Sequence, residues 1–195
     1  MKKPISFLVS ALIMSGLLGF GASAQGEEPF SRERALEHLR YLAETIGPRP
    51  LGSPQELAAL TYFAERLAEF GCLVEWQPVT QGGGEQGHSA LNTSSFNVVG
   101  RLEGTEKREI VIGAHIDSAS PEVPGANDDG SGVATMIELA RVLSQESHTA
   151  TLVFVAFCGE ESGLIGSKSF VENYPLENVS LMLQLDMVST RLPCI

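Results

Sequence analysis

Residues 109–157 have the sequence EIVIGAHIDSASPEVPGANDDGSGVATMIELARVLSQESHTATLVFVAF. The segment Glu109–Ile116 is rich in β-branched residues and Ala150–Phe157 is a second apolar run, so both predict buried strands. Between them, a loop of Gly, Pro and Asp residues precedes Ser131–Glu146, whose apolar residues recur with helical spacing. A strand, a helix and a second strand in this order predict a β-α-β unit.

The flanking sequence continues the alternation of helices and strands. One helix is predicted over Ser31–Ile46, and a second begins with the capping box Ser53-Pro54-Gln55-Glu56 and ends at Gly71. The other predicted elements are strands over Cys72–Thr80, Ser95–Leu102 and Val179–Met187, a helix over Leu164–Asn173, and a mobile loop over Gln81–Ser94. The predicted class is α/β, a three-layer α/β/α sandwich around a mixed, mostly parallel sheet.

Composition indicates one soluble domain. The chain has 195 residues, 43% of them hydrophobic, which suffices for a core of its own. Its 24 acidic and 13 basic side chains give a formal net charge of −11. Because no basic surface is available to neutralise a phosphate backbone, nucleic acid is not expected as a partner.

The amino terminus has the three parts of a secretory signal peptide. Lys2 and Lys3 precede an apolar stretch over residues 5–20, and Ala22-Ser23-Ala24 is a small-residue cleavage site. We expect cleavage after Ala24, which removes residues 1–24 and leaves a secreted or periplasmic domain over residues 25–195. The apolar stretch is shorter than a spanning helix, so no stable membrane anchor is expected after cleavage.

Three cysteines, Cys72, Cys158 and Cys194, would enter an oxidising compartment on export. A Cys72–Cys158 bridge is open on spacing alone, although buried free thiols are the favoured interpretation of these two residues. The sequence has no Cys-x-x-Cys pair, which argues against thiolate zinc sites and thioredoxin-like chemistry.

Acidic residues and one histidine lie at the carboxyl ends of the predicted strands and in the loops that follow them. In α/β proteins, chemistry collects beyond the carboxyl ends of the strands. The residues at these positions are His115, Asp117, Asp128, Asp129, Glu160, Glu161 and Asp186. Converging carboxylates repel one another in a partly desolvated cleft, and a bound divalent cation is the usual resolution. A histidine with carboxylates and without thiolates favours Zn²⁺ or a neighbouring first-row ion.

The spacing of these residues suggests different chemical roles for them. His115 and Asp117 are two residues apart at a strand end, so they point to the same side and Asp117 can orient the imidazole. Glu160 and Glu161 are adjacent and point in different directions. One of them can therefore bind metal while the other acts on water as a general base.

Four motifs resemble peptidase family M28, the co-catalytic di-zinc peptidases that include secreted bacterial leucyl-type aminopeptidases. In chain order, the motifs are Gly113–Ser118, Pro124–Gly132, Gly159–Ser167 and Gln184–Met187. The likeness extends from about Ser31 to Ser189, nearly the whole predicted mature chain. Residues 49–54, Arg-Pro-Leu-Gly-Ser-Pro, also resemble the family's entry to its second helix.

The resemblance implies two zinc ions bridged by Asp128. His115 and Asp186 would complete one site, Glu161 would belong to the other, Glu160 would activate the attacking water, and Asp117 would support His115. A cis peptide bond between Asp128 and Asp129 is implied as well. The implied function is that of a zinc-dependent aminopeptidase, which removes amino-terminal residues from peptides with a free amino terminus.

One family ligand is missing from the sequence. The family has a second zinc-binding histidine well beyond the Gln184–Met187 motif, and the sequence ends at Ile195 without it. His38, His88 and His148 match no metal-ligand spacing and are expected to be surface imidazoles. The domain is therefore predicted to be incomplete at its carboxyl end, with one tight zinc site. Two alternatives stay open, a glutaminyl-cyclase-like acyltransferase and an inactive metal-binding fragment.

Overall fold

The computed structural model describes residues 29–80 and 94–188. The predicted signal peptide, the predicted loop up to residue 93, His88 and Cys194 lie outside the described residues. Within the described ranges, no helix is both long enough and apolar enough to cross a membrane.

The predicted helices and strands of this part of the chain are present, with ends within three residues of the expected positions. They are α1 (Arg32–Arg40), α2 (Pro54–Glu69), β1 (Leu73–Thr80), β2 (Ser94–Leu102), β3 (Glu109–His115), α3 (Ser131–Leu143), β4 (Thr151–Phe157), α4 (Ile165–Asn173) and β5 (Val179–Gln184). After Arg40 the first helix widens into a π-helical turn over Tyr41–Ile46. Past the end of β5, the Leu185 N–H still donates to the Gly113 carbonyl at 2.8 Å, which continues the contact with β3.

Helix α2 begins where the Ser-Pro-Gln-Glu sequence predicts. The Ser53 hydroxyl accepts a hydrogen bond from the Glu56 N–H at 3.0 Å, and Pro54 occupies the first helical position. The Glu56 carboxylate accepts from the Gly52 N–H at 2.6 Å instead of from the Ser53 N–H. The returning bond of the predicted capping box therefore goes to the residue before the cap.

The described strands form one mixed sheet in the order β1-β2-β4-β3-β5. The pairs β1–β2 and β2–β4 are antiparallel, whereas β3–β4 and β3–β5 are parallel. The mixed sheet is confirmed, but parallel pairs are half of the total rather than the predicted majority. The reason lies in the connections: α3 and α4 provide the crossovers that parallel neighbours need, while residues 103–108 between β2 and β3 are too few for one.

Helices cover both faces of the sheet, which confirms the three layers. Alternate residues of β4 point to opposite sides, and Phe154 belongs to one core cluster while Val155 belongs to the other. The first cluster is closed by α2 and α3, with Phe63 and Ile137 fully buried. The second is closed by α4 through Phe170. The helices thus fix the sheet from both sides.

Two further features bear on the sequence predictions. Cys72 and Cys158 are buried free thiols, so the bridge that spacing left open is not formed. Strand β5 lies at the edge of the sheet and exposes Leu181, Met182 and Leu183 by 43–47%. An apolar edge strand of this kind is open to association with other chains.

Candidate metal centre

The carboxyl ends of three strands meet at the candidate site. Strands β4, β3 and β5 are neighbours that run in the same direction, so their carboxyl ends lie at one edge of the sheet. His115 is the last residue of β3, Glu160 follows β4, and Asp186 follows β5. The structure therefore brings together residues that are up to 71 positions apart in the sequence.

His115 is buried at the centre of the site, with 1% of its side chain exposed. Its Nε2 lies 2.9 Å from Asp128 Oδ1, and its Nδ1 lies 3.1 Å from the Asp117 carbonyl oxygen and 3.4 Å from Asp117 Oδ1. Burial lowers the pKa of His115, but the hydrogen bond to Asp117 and the charges of Asp129 and Asp117 outweigh it and raise the pKa to about 9. A metal ion at Nε2 would have to displace this proton, which makes binding pH-dependent.

Asp117 is fully buried and ties two loops together. Its Oδ1 accepts a hydrogen bond from the Glu160 N–H at 3.0 Å, and its Oδ2 accepts from the Glu161 N–H at 3.1 Å. The sequence predicted Asp117 as a support for His115, and the carboxylate does lie beside that imidazole. Its shorter hydrogen bonds, however, are to the backbone N–H groups of Glu160 and Glu161, so Asp117 also fixes the backbone position of these two residues.

Asp128 and Asp129 are joined by a cis peptide bond, as the family resemblance implied. Asp129 is fully buried, and its carboxylate accepts from the backbone N–H groups of His115 at 3.2 Å, Gly132 at 3.0 Å and Met187 at 3.2 Å. Burial raises the pKa of Asp129 to about 7, against the opposing effect of His115. Asp129 therefore holds the ends of β3 and β5 against the start of α3, a role that the sequence did not reveal.

The ligand atoms form two overlapping groups around His115. In each group the atoms lie within 4.8 Å of one another; one group is His115, Glu160 and Glu161, and the other is His115, Asp129 and Asp186. The predicted ligand Asp128 contacts His115 directly, with 48% of its side chain exposed, while Asp129 is the aspartate grouped with Asp186. Since the Asp129 oxygens accept three backbone N–H groups, Asp128 has the more available carboxylate.

These residues fit zinc in their chemistry. An imidazole nitrogen with several carboxylate oxygens and no thiolate is a donor set that zinc accepts. Burial raises the pKa of Glu161, and the nearby Asp128 and Glu160 charges raise it further, while His115 lowers it. A divalent cation would relieve the repulsion among these carboxylates.

A pocket of about 230 Å³ opens beside His115, between the ends of β4 and β5. Its wall combines polar groups from Glu160, Gln184 and Asp186 with apolar side chains, among them Phe157 and Leu164. A pocket that combines an apolar wall with a few polar groups has the usual character of a site for a small organic ligand.

The remaining described histidines lie elsewhere. His38 on α1 is within 2.6 Å of the Tyr62 hydroxyl, and the His148 ring contacts the Leu143 carbonyl at the other end of α3 from the site. His88 lies outside the described residues. Within the described ranges, His115 is thus the one imidazole at the site.

The family comparison agrees with the motifs. A model of peptidase family M28 matches residues 97–193. A protein of Mycobacterium tuberculosis named "Probable lipoprotein aminopeptidase LpqL" is 41% identical over 200 residues, covering 98% of this chain and 38% of that protein. "Leucine aminopeptidase 1" of Paracoccidioides brasiliensis (strain Pb03) is 37% identical over 163 residues, covering 77% of this chain and 39% of the relative. The chain therefore spans less than half the length of these curated relatives.

Solved structures share the fold. The zinc aminopeptidase BSAP from Bacillus subtilis has a TM-score of 0.73 at 20% identity, covering 83% of this chain and 70% of that one. A glutaminyl cyclase from Porphyromonas gingivalis has a TM-score of 0.72 at 22% identity, covering 83% and 61%. Since the fold hosts both activities, similarity of fold does not decide between the two reactions. The family match and the sequence relatives, together with the motifs after β3, β4 and β5, show that the chain belongs to peptidase family M28.

Proposed function

We propose that the chain acts as a zinc-dependent aminopeptidase that takes peptides with a free amino terminus. The observation that carries the proposal is the contact of His115 Nε2 with Asp128 Oδ1 at 2.9 Å, with Glu160 and Glu161 grouped around the same imidazole. Family membership supports peptide hydrolysis, and the name of the Paracoccidioides relative supports an aminopeptidase of the leucyl type.

Two zinc ions would share the Asp128 carboxylate. His115 and Asp186 would complete the ligands of one ion, and Glu161 would bind the other. The half-exposed carboxylate of Asp128 and its contact with His115 support the bridging role. Zinc bound there would polarise the substrate carbonyl and lower the pKa of water.

Glu160 is the proposed general base. Its side chain lines the pocket beside His115, and its N–H is held by Asp117. The Glu160 carboxylate would accept a proton from the attacking water and pass it to the departing amine. The acidic side chains around it favour a substrate whose amino terminus is protonated, since opposite charges attract in a partly desolvated pocket.

Export is a further part of the proposal. Residues 1–24 would be removed as a signal peptide, and the zinc peptidase domain over residues 25–195 would act in the periplasm or the medium. The relative named as a lipoprotein supports a site of action outside the cytoplasm, although this chain has no cysteine next to Ala24 for a lipid. Amino-terminal sequencing of the exported protein should begin at Gln25, and an intact Met1 in the membrane fraction would contradict it.

The activity is tested with the zinc-loaded chain on leucine p-nitroanilide and on a peptide with an amino-terminal glutamine. The proposal expects nitroaniline release that stops on chelation and returns with added zinc. Ammonia release from the glutamine peptide without anilide hydrolysis would instead indicate a glutaminyl cyclase. Zinc binding with neither reaction would indicate an inactive metal-binding domain.

A further inference from the structure

Arg49 is a fully buried arginine whose guanidinium group donates to backbone carbonyls. Its hydrogen bonds of 2.8–3.1 Å go to the carbonyl oxygens of Leu42, Gly47, Ile116, Pro124 and Gly125. A planar guanidinium with five donors can satisfy this many acceptors at once, which an ammonium cannot do in the same geometry. From the sequence, Arg49 is predicted only as part of the segment that leads into the second helix.

Three of these carbonyls belong to the loop that joins His115 to Asp128. Ile116 is the first residue of the loop, and its carbonyl accepts from Arg49 Nε at 2.9 Å. Pro124 and Gly125 lie near its other end and accept from Nη1 at 2.8 Å and from Nη2 at 3.1 Å. One side chain therefore holds both ends of residues 116–125 together.

The backbone of Arg49 adds two more links to the same loop. The Arg49 N–H donates to the Ser118 hydroxyl at 2.8 Å, and the Ser118 N–H donates to the Arg49 carbonyl at 3.0 Å. Ser118 directly follows Asp117, the residue whose carboxylate holds Glu160 and Glu161. Gly125 has φ +58°, and a Cβ there would lie 2.5 Å from the Asp128 carbonyl oxygen, so the loop end is packed tightly against Asp128.

The positive charge of Arg49 also supports a role at the site. Burial lowers the pKa of Arg49 to about 10, and the negative charges of Asp117 and Asp129 oppose that effect. The guanidinium remains protonated at neutral pH, so it places a positive charge behind two buried carboxylates of the site. It can offset part of their repulsion without occupying the face where substrate would bind.

We propose that Arg49 is a positioning residue of the metal site, which clamps residues 116–125 so that Asp117 and Asp128 are held in place around His115. The inference rests on the proposed zinc site, because it assigns Arg49 its effect through the zinc ligands. It predicts that Arg49 controls zinc affinity beyond its contribution to folding.

The test measures zinc affinity by competition with a chromogenic chelator, and thermal unfolding in EDTA, for four proteins. These are the wild type, Arg49→Lys, Arg49→Met and the control Phe63→Leu, which weakens the core under α2 and removes no hydrogen bond to the loop. At a temperature where circular dichroism shows all four folded, both Arg49 variants should bind zinc about 10–100-fold more weakly, as is usual when a group behind a metal ligand is removed. Phe63→Leu should lose thermal stability but keep its zinc affinity.

Ser118→Ala covers the case in which Arg49→Met does not fold, since it removes the hydroxyl that accepts from the Arg49 N–H. Its zinc affinity should fall several-fold while it stays folded. Wild-type zinc affinity in folded Arg49→Lys and Ser118→Ala would overturn the positioning role, as would an equal loss of affinity in Phe63→Leu. A wild-type chain that binds no zinc would instead overturn the proposed function.

Discussion

The Asp117 carboxylate accepts a hydrogen bond from the backbone N–H of Glu160 at 3.0 Å, which joins the loop after β3 to the loop after β4. The second oxygen accepts from the Glu161 N–H at 3.1 Å. One buried carboxylate thus aligns two successive amides, and hydrogen bonds to an ionised acceptor are stronger than neutral ones. The backbone positions of Glu160, the proposed base, and of Glu161, the proposed ligand, therefore depend on Asp117.

Asp117→Asn should lower kcat for leucine p-nitroanilide by about 10–100-fold, a usual effect of changing a partner behind a metal ligand. Asparagine offers one acceptor oxygen, and its NH₂ group faces the other amide donor, so one of the two N–H groups loses its bond. Steady-state kinetics with zinc in excess measures the effect. An unchanged kcat in the folded variant would show that Asp117 does not set the position of Glu160.

Glu160→Gln should keep zinc and lose turnover. Glutamine retains the size of the side chain but cannot accept a proton, and general-base assistance is worth about 10²–10⁴-fold in rate. Zinc content by mass spectrometry and kcat on the same preparation separate binding from chemistry. Near-normal hydrolysis would assign the base to another residue.

Asp128→Asn should lose zinc before it loses structure. The amide replaces the carboxylate that contacts His115 Nε2, and a neutral oxygen is a weaker zinc ligand than a charged one. Glu122→Gln is the matched control, because Glu122 is an exposed acid in the loop before Asp128. Dialysis followed by zinc analysis should show loss only in Asp128→Asn, and equal retention in both would remove Asp128 from the ligand set.

Local patterns were enough to predict the elements and the residues at the strand ends. Apolar runs such as Ala150–Phe157 and the helical period of Ser131–Glu146 are local signals, and the α/β topology then places His115, Glu160 and Asp186 at one edge. The direction of β2 was not predictable in this way, because antiparallel pairing with β4 depends on how the chain returns across the sheet. That is a property of the fold and not of the strand's own sequence.

The contacts that hold the site together could not be predicted from the sequence, for a similar reason. Arg49 stands between two prolines, in a segment that predicts only a helix end, and its carbonyl partners are up to 76 residues away. Asp129 was visible as an acid but not as the acceptor of three backbone N–H groups from separate elements. Backbone N–H donors and carbonyl acceptors are present at nearly every residue whatever its side chain, so a sequence cannot mark which of them take part.

The 195-residue chain offers unequal ligand sets to the two proposed zinc ions. Among the described residues, one ion would have His115, Asp128 and Asp186, and three protein ligands with an open position make a sufficient zinc site. The second ion would have Asp128 and Glu161 from the same part of the chain and would be held more weakly. We therefore expect close to one zinc per chain after dialysis, by the usual ligand count for zinc. His115→Ala should abolish the tight site, while Glu161→Gln should leave it intact. Two tightly held ions would mean that a further residue or a second chain supplies a ligand.

The buried carboxylate of Glu56, near Asp117, makes the stability of the folded chain depend on pH. The side chain is 1% exposed, Oε2 accepts from the Gly52 N–H and the Ser95 hydroxyl, and Oε1 has no hydrogen-bond partner among the described residues. Burial raises the pKa of Glu56 to about 7, the Gly52 and Ser95 hydrogen bonds oppose this, and the charge of Asp117 adds to it. A buried carboxylate with an unpaired oxygen favours its protonated form in the folded state.

Glu56→Gln should therefore stabilise the chain at high pH but not at low pH. Between the ordinary pKa of 4.5 and the folded value of about 7, the folded state binds a proton that the unfolded state releases, so the free energy of unfolding of the wild type falls as pH rises. Glutamine has no charge to bury and escapes this loss, which is worth on the order of 3 kcal/mol for a shift of this size. Urea unfolding of both proteins at pH 4.5, 6 and 8 in EDTA measures the difference, which should grow with pH and level off above pH 7. A difference that is constant from pH 4.5 to 8 would show that Glu56 titrates alike in the folded and unfolded states.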